Sequence, residues 1–356
     1  MYSESDLQAA VDAKVLTPEA ATAFRSHIAS VRAAPGADEE SFRLITGFND
    51  IFVSIAAVIL LMAVGWIGAS IHPALGGAFV AASAWFLAEY FTRQRRMALP
   101  SIVLVLAFSG GVFATMVGFL VEHGETIFGE DPGETVGAIL IGSMALITAA
   151  ATWLHWKRFM VPITVAAGTA ALAATAVALV LAIIGVSTSP DLVMALVLVA
   201  GLGVFALAMW WDRSDRVRQT RRSDVAFWLH LLAAPMIAHP IFHLLGVTQG
   251  DNIGSAAAVM VVGIYVLFGL IALAIDRRAL LVSALAYVLF AMTQLFREFG
   301  AVELNVALTA FVIGSALLLL SAFWQNARAV VVGFLPDNLA NQLPATTRTI
   351  SPIPAS

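Results

Sequence analysis

The chain has 356 residues, a formal net charge of −4 and no cysteine. Hydrophobic residues make up 60% of the sequence and charged residues only 12%, whereas soluble globular domains carry about 25% charged residues. This composition excludes an ordinary soluble protein, and the small negative charge gives no field that would attract nucleic acid. The lack of cysteine excludes thiolate catalysis and cysteine-ligated metal sites.

Residues 1–45 are predicted to form a short soluble helical hairpin. Apolar residues recur every four positions from Leu7 to Val15, which is typical of one face of an amphipathic helix. Thr17 followed by Pro18 predicts the start of a second helix, with threonine as the N-cap and proline at the first helical position. Two interpretations remain open: the hairpin packs within this chain, or it docks a protein partner.

The stretch LQAAVDAKVLTPEAATAFRSHI, residues 7–28, resembles the opening of a known family. This is an uncharacterised bacterial family of multi-pass membrane proteins, the type called domain of unknown function 2157. Its members place a helix, a Gly or Lys, a Leu/Ile-Thr/Ser-Pro-Glu sequence and a second helix ahead of many spans, and Lys14 occupies the position where many of them have glycine. The resemblance implies a cytosolic hairpin before a membrane domain, and it implies no activity.

Ten apolar segments follow, each about as long as a helix that crosses roughly 30 Å of hydrocarbon. Because they are continuously apolar rather than alternating, they predict helices and not a β-barrel. The predicted fold class is therefore all-α, a polytopic transmembrane helical bundle over residues 46–325, followed by a largely disordered tail over 326–356. The predicted spans are Ile51–Ala69, Ala74–Phe91, Ala98–Val121, Thr135–Trp153, Phe159–Ile184, Leu192–Trp211, Val225–Leu245, Ser255–Ile275, Leu280–Phe299 and Leu304–Trp324.

Two features of these spans predict how they are arranged. The segments 51–184 and 191–324 are equally long and hold five spans each, so inverted halves are one interpretation and chance is the other. Paired glycines, at Gly76-Gly77 and at Gly110-Gly111, predict that helices approach one another closely there.

The distribution of basic residues predicts the orientation. With the N-terminus inside, all but one of the 19 Lys and Arg residues fall on the cytosolic side, and the exception is Arg297. Five of them lie between positions 213 and 222, in the sixth loop. The positive-inside rule therefore predicts a multi-pass protein of the inner (plasma) membrane with both termini cytoplasmic. The outer loops are short, and the longest is the acidic stretch over 122–135.

The seventh span carries the main candidate site. His239 lies 14 positions after Val225, or about 21 Å up the helix; His243 follows about 40° further round the same face, whereas His230 points to the opposite face. Ionisable groups at this depth usually face the bundle interior or a water-filled cavity. Two prolines, at 235 and 240, predict a kink beside His239. A proton or substrate site is one interpretation, and a packed neutral histidine is the other.

Two further ionisable residues near span ends are candidates. Asp50 opens the first span, where a carboxylate caps a helix or binds a coupling ion. Arg297 approaches the outer end of the ninth span, where an arginine snorkels towards acidic groups or binds an anion.

Cofactor ligands are harder to assign. His155 and His230 would be the pair for a bis-histidine haem, and His239 with His243 would need outer residues to hold zinc. Neither set forms a sequence motif, so no cofactor and no metal site is predicted. The outer residues considered for zinc are His72, His123 and Glu122.

Three functional interpretations remain. The chain has no phosphate-binding loop, hydrolase elbow or metalloprotease helix, which favours a role other than catalysis. The first interpretation is a secondary transporter of a small solute that uses His239. The second is a structural or regulatory membrane protein whose hairpin docks a partner, and the third is a haem- or metal-binding membrane protein. The bilayer is the one partner that the sequence itself predicts.

Overall fold

The structure, a computed structural model, describes residues 10–24, 48–129, 133–185, 189–216, 218, 220–247, 254–298 and 304–344, with backbone alone at 297 and 298. The chain divides into two units, Met1–Phe42 and Arg43–Ser356. In the first unit the described residues are helical at 10–12 and 18–24. The rest of the hairpin lies outside the described residues and stays a prediction.

The described part of the N-terminal unit confirms the predicted N-cap of its second helix. The Thr17 hydroxyl accepts a hydrogen bond from the Ala20 backbone N–H at 3.1 Å, as an N-cap does. Lys14 has a φ of 57°, in the left-handed region that favours glycine. This conformation explains why a glycine would suit the position at which this chain has lysine.

Among its described residues the second unit contains ten helices that are long and apolar enough to cross a membrane, which identifies a multi-pass membrane protein and agrees with the predicted number of spans. They are numbered in chain order as α1 Phe48–Ile71, α2 Pro73–Ala88, α3 Ala98–Phe128, α4 Gly133–Phe159, α5 Ile163–Ile184, α6 Pro190–Ser214, α7 Arg221–Leu244, α8 Ser255–Ile275, α9 Ala279–Glu298 and α10 Asn305–Ala322. A π-helical turn, Glu89–Gln94, extends α2.

Two predicted boundaries are wrong. The fifth span was predicted from Phe159, but α4 continues to that residue and α5 begins only at Ile163. Pro162 lies at the junction, where its ring fixes φ and provides no N–H for a continuous helix. The acidic stretch 122–135 is also mostly helical rather than a loop, because α3 extends to Phe128 and α4 begins at Gly133.

The helix α7 lies at the centre of its half of the bundle. It packs against α5, α6 and α9. In its most apolar stretch 56% of the residues are buried, against at most 33% in any other span. The end at which α7 begins also carries the end of α6 and the α8–α9 turn, and we call it the basic end after Arg213 and Arg277.

Glycines allow α2 and α3 to pack with their backbones in contact. A Cβ atom at Gly111 would lie 2.7 Å from the Ala81 backbone nitrogen and 2.8 Å from the Gly77 carbonyl oxygen. One at Gly77 would lie 2.3 Å from the Thr115 nitrogen. These distances are shorter than a Cβ atom tolerates, so the predicted close approach is confirmed at Gly77 and Gly111.

The variant Gly111→Ala is expected to lower the free energy of unfolding by about 1–3 kcal/mol, because the added methyl group forces two backbones apart. Gly110→Ala is the matched control, since a Cβ atom at Gly110 meets no atom within 4 Å. Thermal unfolding of both variants in detergent measures the difference. Equal midpoints for the two variants would contradict the observed packing.

The C-terminal segment differs from the predicted disordered tail over residues 326–344. Helix α11, Trp324–Gly333, and the short helix α12, Asp337–Ala340, are followed by the buried residues Leu343 and Pro344. Hydrogen bonds to arginines hold this segment, as described below, and such contacts cannot be read from hydropathy. Residues 345–356 lie outside the described residues.

Candidate functional site

The helix α7 continues through Pro235 and Pro240 without a break, and the kink predicted there stays a prediction. Proline in a membrane helix is tolerated where neighbouring helices cover the backbone groups it frees. Pro240 frees the carbonyl of Met236, and α6 covers that carbonyl at Gly201. A Cβ atom at position 201 would lie 2.8 Å from the Met236 oxygen, so glycine is required for this contact.

At the basic end, His230 belongs to a buried cluster of charged side chains from three elements. Its Nε2 lies 2.9 Å from Asp212 Oδ2, on the last turn of α6. Arg277, at the start of the α8–α9 turn, donates from Nη2 to Asp212 Oδ1 at 2.8 Å. The side chains of Asp212, His230 and Arg277 are 0%, 2% and 3% exposed. The cluster is therefore shielded from water and contains one carboxylate between two nitrogen donors.

The carboxylate of Asp212 determines which ring nitrogen of His230 carries the shared hydrogen. An ionised carboxylate only accepts hydrogen bonds, so His230 Nε2 carries a hydrogen that it donates to Asp212. The other ring nitrogen, Nδ1, has no hydrogen-bond partner among the described residues. Arg277 also donates to the Ser223 carbonyl at 3.1 Å, which ties the α8–α9 turn to the first turn of α7. A neutral His230 leaves Asp212 and Arg277 as a balanced ion pair.

A second cluster, centred on Asp276, adjoins the first one along the chain. Arg218 donates to Asp276 Oδ2 at 2.8 Å, and Trp324 Nε1 donates to Oδ1 at 2.7 Å. Arg328 Nε lies 3.8 Å from the same carboxylate. Burial lowers the pKa of Arg218 from its ordinary value and Asp276 opposes that shift, but an arginine stays protonated at neutral pH. Asp276 thus joins the α6–α7 loop to α11.

The C-terminal segment is bound to the same end of the bundle. Arg328, only 2% exposed, donates to the Pro344 carbonyl at 2.6 Å. Arg216 donates to the Leu343 carbonyl at 2.9 Å, and Arg213 donates to the Gln342 side chain at 2.9 Å. Arginines of the sixth loop therefore bind the chain beyond α11, a structural role in addition to the topological one predicted for them.

Further along α7, His239 and His243 contact two different neighbouring helices. His239 is exposed at the surface of the described bundle, and its Nδ1 lies 2.5 Å from the Tyr287 hydroxyl on α9. The Tyr287 ring stacks on Phe242 with centroids 4.4 Å apart, which holds the hydroxyl in place. His243 Nε2 lies 3.4 Å from Asp191 Oδ1, in the first turn of α6. The two histidine rings are 6.4 Å apart.

The remaining candidates from the sequence lie elsewhere. Asp50 is buried in the first turn of α1, whose principal neighbours are α2 and α3. Arg297 lies in the last turn of α9, and its side chain is outside the described atoms. The structure therefore gathers the three α7 histidines with acidic or hydroxyl partners, and it does not bring Asp50 into that group.

The residues that sequence reasoning missed are Asp212, Arg277, Tyr287 and Asp191. Asp212 directly follows an apolar span, and Arg277 belonged to a pair interpreted only as a topological charge. A carboxylate at the end of one span and a histidine in the next are a usable signal. Recognising that the two residues pair requires knowing how α6 is rotated against α7, and the sequence does not give that rotation.

His155 has a different environment from His230. It is fully buried, and its ring contacts Phe159, Phe108 and Trp85 at centroid distances of 4.5, 5.2 and 5.7 Å. The described contacts of His230 are with Asp212 and Phe205 instead. Within the described ranges no three His, Asp or Glu side chains gather as metal ligands. His155 and His230 therefore have different described surroundings, and the described residues form no zinc-ligand group around His239 and His243.

Comparison with protein-family models, with curated proteins and with solved structures finds no match to this chain.

Proposed function

We propose that this multi-pass membrane protein is a secondary transporter that couples a small solute to protons, with α7 as the coupling helix. One observation carries the proposal: each histidine of α7 contacts an acidic or hydroxyl group of a neighbouring span. Asp212 and Asp191, at opposite ends of α6, pair with His230 and His243, and Tyr287 pairs with His239 between them. Ionisable groups within membrane-spanning segments are expensive, and they usually mark ion or proton pathways; of the three pairs, His230 and Asp212 are buried in the bundle, whereas His239 lies at its surface.

The spacing of the three histidines supports a gated pathway rather than an open one. His230 and His243 are 13 positions apart, about 20 Å along the helix, which is most of the roughly 30 Å hydrocarbon core. His230 and His239 are nine positions apart, about 13.5 Å. A proton transfers only over hydrogen-bond distances, so this gap requires water or a movement of the helices. Alternating access in a transporter provides such a movement.

The proposed orientation places the basic end in the cytoplasm and the protein in the inner membrane. The arginines of the α6–α7 loop and of the α8–α9 turn support it through the positive-inside rule. Both termini are then cytoplasmic. The resemblance of residues 7–28 to an uncharacterised membrane-protein family is compatible with this proposal and adds no substrate to it. Docking of a partner by the hairpin stays a prediction.

Solute-driven proton movement tests the proposal. The full chain is reconstituted into vesicles that contain a pH-sensitive dye, and amino acids, organic acids, amines and sugars are added in turn. At least one class is expected to move protons, and His239→Ala and Tyr287→Phe are each expected to slow that movement about tenfold or more, as loss of a positioned proton-transfer group does.

The matched control is Tyr90→Phe, which removes a hydroxyl from an exposed tyrosine on the π-helical turn after α2. This variant is expected to keep the wild-type rate. Equal rates in His239→Ala and wild-type protein would contradict a coupling role for α7. The absence of proton movement with every class, in vesicles that retain folded protein, would contradict the proposed transport itself.

A further inference from the structure

An apolar groove lies on the lipid-facing side of α8, α9, α10 and α11 near the basic end. It encloses a cavity of about 110 Å3. Leucines from two helices form its walls, with Leu281 and Leu285 on α9 and Leu317 and Leu320 on α10. Val282, which is 67% exposed, also lines it, so the groove opens towards the membrane. Its walls suit a hydrocarbon chain.

An arginine closes the groove at the basic end. The Arg278 guanidinium lies 4.6 Å from the centroid of the Trp324 ring, and both residues line the cavity. The indole N–H of Trp324 donates to Asp276, which Arg218 holds from the other side. The platform under Arg278 is therefore fixed by a partly buried hydrogen-bond network. A guanidinium on an aromatic ring at this depth is placed to bind a phosphate.

The length of the groove lies within one leaflet. Its lining runs from Arg278 into α9 as far as Leu285 and from Trp324 back into α10 as far as Leu317, seven positions in each case, or about 10.5 Å. Half of the roughly 30 Å hydrocarbon core is about 15 Å. Tyr265 also lines the groove, and its hydroxyl is buried and has no hydrogen-bond partner among the described residues.

We propose that this groove is a binding site for one anionic phospholipid of the leaflet at the basic end. Its acyl chain lies between α9 and α10, and its phosphate binds Arg278. Trp324 sits at the level where aromatic residues anchor membrane proteins. The apolar walls would accept any acyl chain, so selectivity for anionic lipid comes from Arg278. This proposal does not depend on the transport function.

Native mass spectrometry of the full-length protein in a neutral detergent tests the site. The protein is titrated with phosphatidylglycerol, which is anionic, and with phosphatidylcholine, which is zwitterionic. The wild-type protein is expected to retain one phosphatidylglycerol in preference to phosphatidylcholine. Arg278→Ala is expected to weaken that binding about fivefold, the effect of one basic residue near an anionic headgroup. Leu317→Trp, which fills the groove, is expected to reduce the binding of both lipids.

The matched control is Arg95→Ala. Arg95 also lies over an aromatic ring, 5.4 Å from the centroid of Tyr90, but neither residue lines the groove. It is expected to leave phosphatidylglycerol binding unchanged, and thermal unfolding confirms that each variant is folded. Equal weakening by Arg95→Ala and Arg278→Ala would overturn the site in favour of general surface attraction. Unchanged lipid binding in Leu317→Trp would overturn a lipid as the occupant. A dimer of the wild-type protein that is lost in Leu317→Trp would also overturn it, because a second copy of the chain would then occupy the groove.

Discussion

Replacing Asp212 with alanine is expected to lower the free energy of unfolding by about 3–5 kcal/mol. The substitution leaves Arg277 buried without its carboxylate, and it removes the acceptor of the His230 N–H. In the native cluster Arg277 Nη2 lies 2.8 Å from Asp212 Oδ1, and His230 Nε2 lies 2.9 Å from Asp212 Oδ2. An uncompensated charge in a site with almost no solvent exposure costs far more than the loss of a surface ion pair. Chemical unfolding of the purified protein in mixed detergent micelles measures the change.

Two variants define the cause of that loss. Asp191→Ala removes the other carboxylate that pairs with an α7 histidine, but its side chain is 65% exposed, so little change in stability is expected. The double variant Asp212→Leu with Arg277→Met replaces the ion pair by apolar groups and is expected to recover most of the loss. Similar losses for Asp212→Ala and Asp191→Ala, or no recovery in the double variant, would contradict a buried charge cluster.

Replacing Arg328 with alanine is expected to release the C-terminal segment from the basic end. The buried guanidinium donates to the Pro344 carbonyl at 2.6 Å, and its removal leaves a cavity beside Asp276. The free energy that holds the C-terminal segment against the bundle is expected to fall by about 2–3 kcal/mol, because one charge-assisted hydrogen bond and the packing of the Arg328 side chain are lost. Limited proteolysis between residues 334 and 344 should then proceed about tenfold faster or more.

Arg213→Ala serves as the control for the released segment. Arg213 contacts the same segment, through a 2.9 Å hydrogen bond to the Gln342 side chain, but both groups are exposed. Exposed pairs of this kind contribute little, so cleavage is expected to change by less than about threefold. Cleavage at equal rates in the two variants would show that Arg328 does not hold the segment.

The membrane helices could be predicted because hydrophobicity and length alone determine a span. The helix ends could not be predicted, since helices continue past the apolar run into polar residues, as α3 does to Phe128 and α7 does from Arg221. Local chemistry was readable in the same way where it is short-range. Thr17 was predicted as an N-cap from neighbouring residues alone, and its hydroxyl makes that contact.

The partners of the candidate site could not be predicted because they depend on how the helices face one another. His230 was identified as a histidine of the seventh span, but Asp212 lies 18 positions before it and Arg277 lies 65 positions after Asp212. Only the rotation of α6 against α7, and the position of the α8–α9 turn, bring these groups together. The continuity of α7 past its prolines could not be predicted for a related reason, because Gly201 of α6 covers the carbonyl that Pro240 frees.

The measurement that tests the proposed role of α7 most directly is the water accessibility of a thiol at position 239. Because the chain has no cysteine, a His239→Cys variant presents a single thiol, which is probed from each side of the membrane with impermeant reagents. Leu231→Cys is the matched control, since Leu231 is also exposed on α7. It lies six positions after Val225, and His239 lies six positions before Leu245, so the two are equally far inside the ends of the predicted apolar span. Glu125→Cys, at the far end of α3, reports that the reagents react normally.

Labelling at 239 without labelling at 231 is predicted, because a thiol forms its reactive thiolate in water and not in lipid. No labelling at 239 from either side, with normal labelling at 125, would mean that the histidine contacts lipid or protein and would contradict a proton pathway along α7.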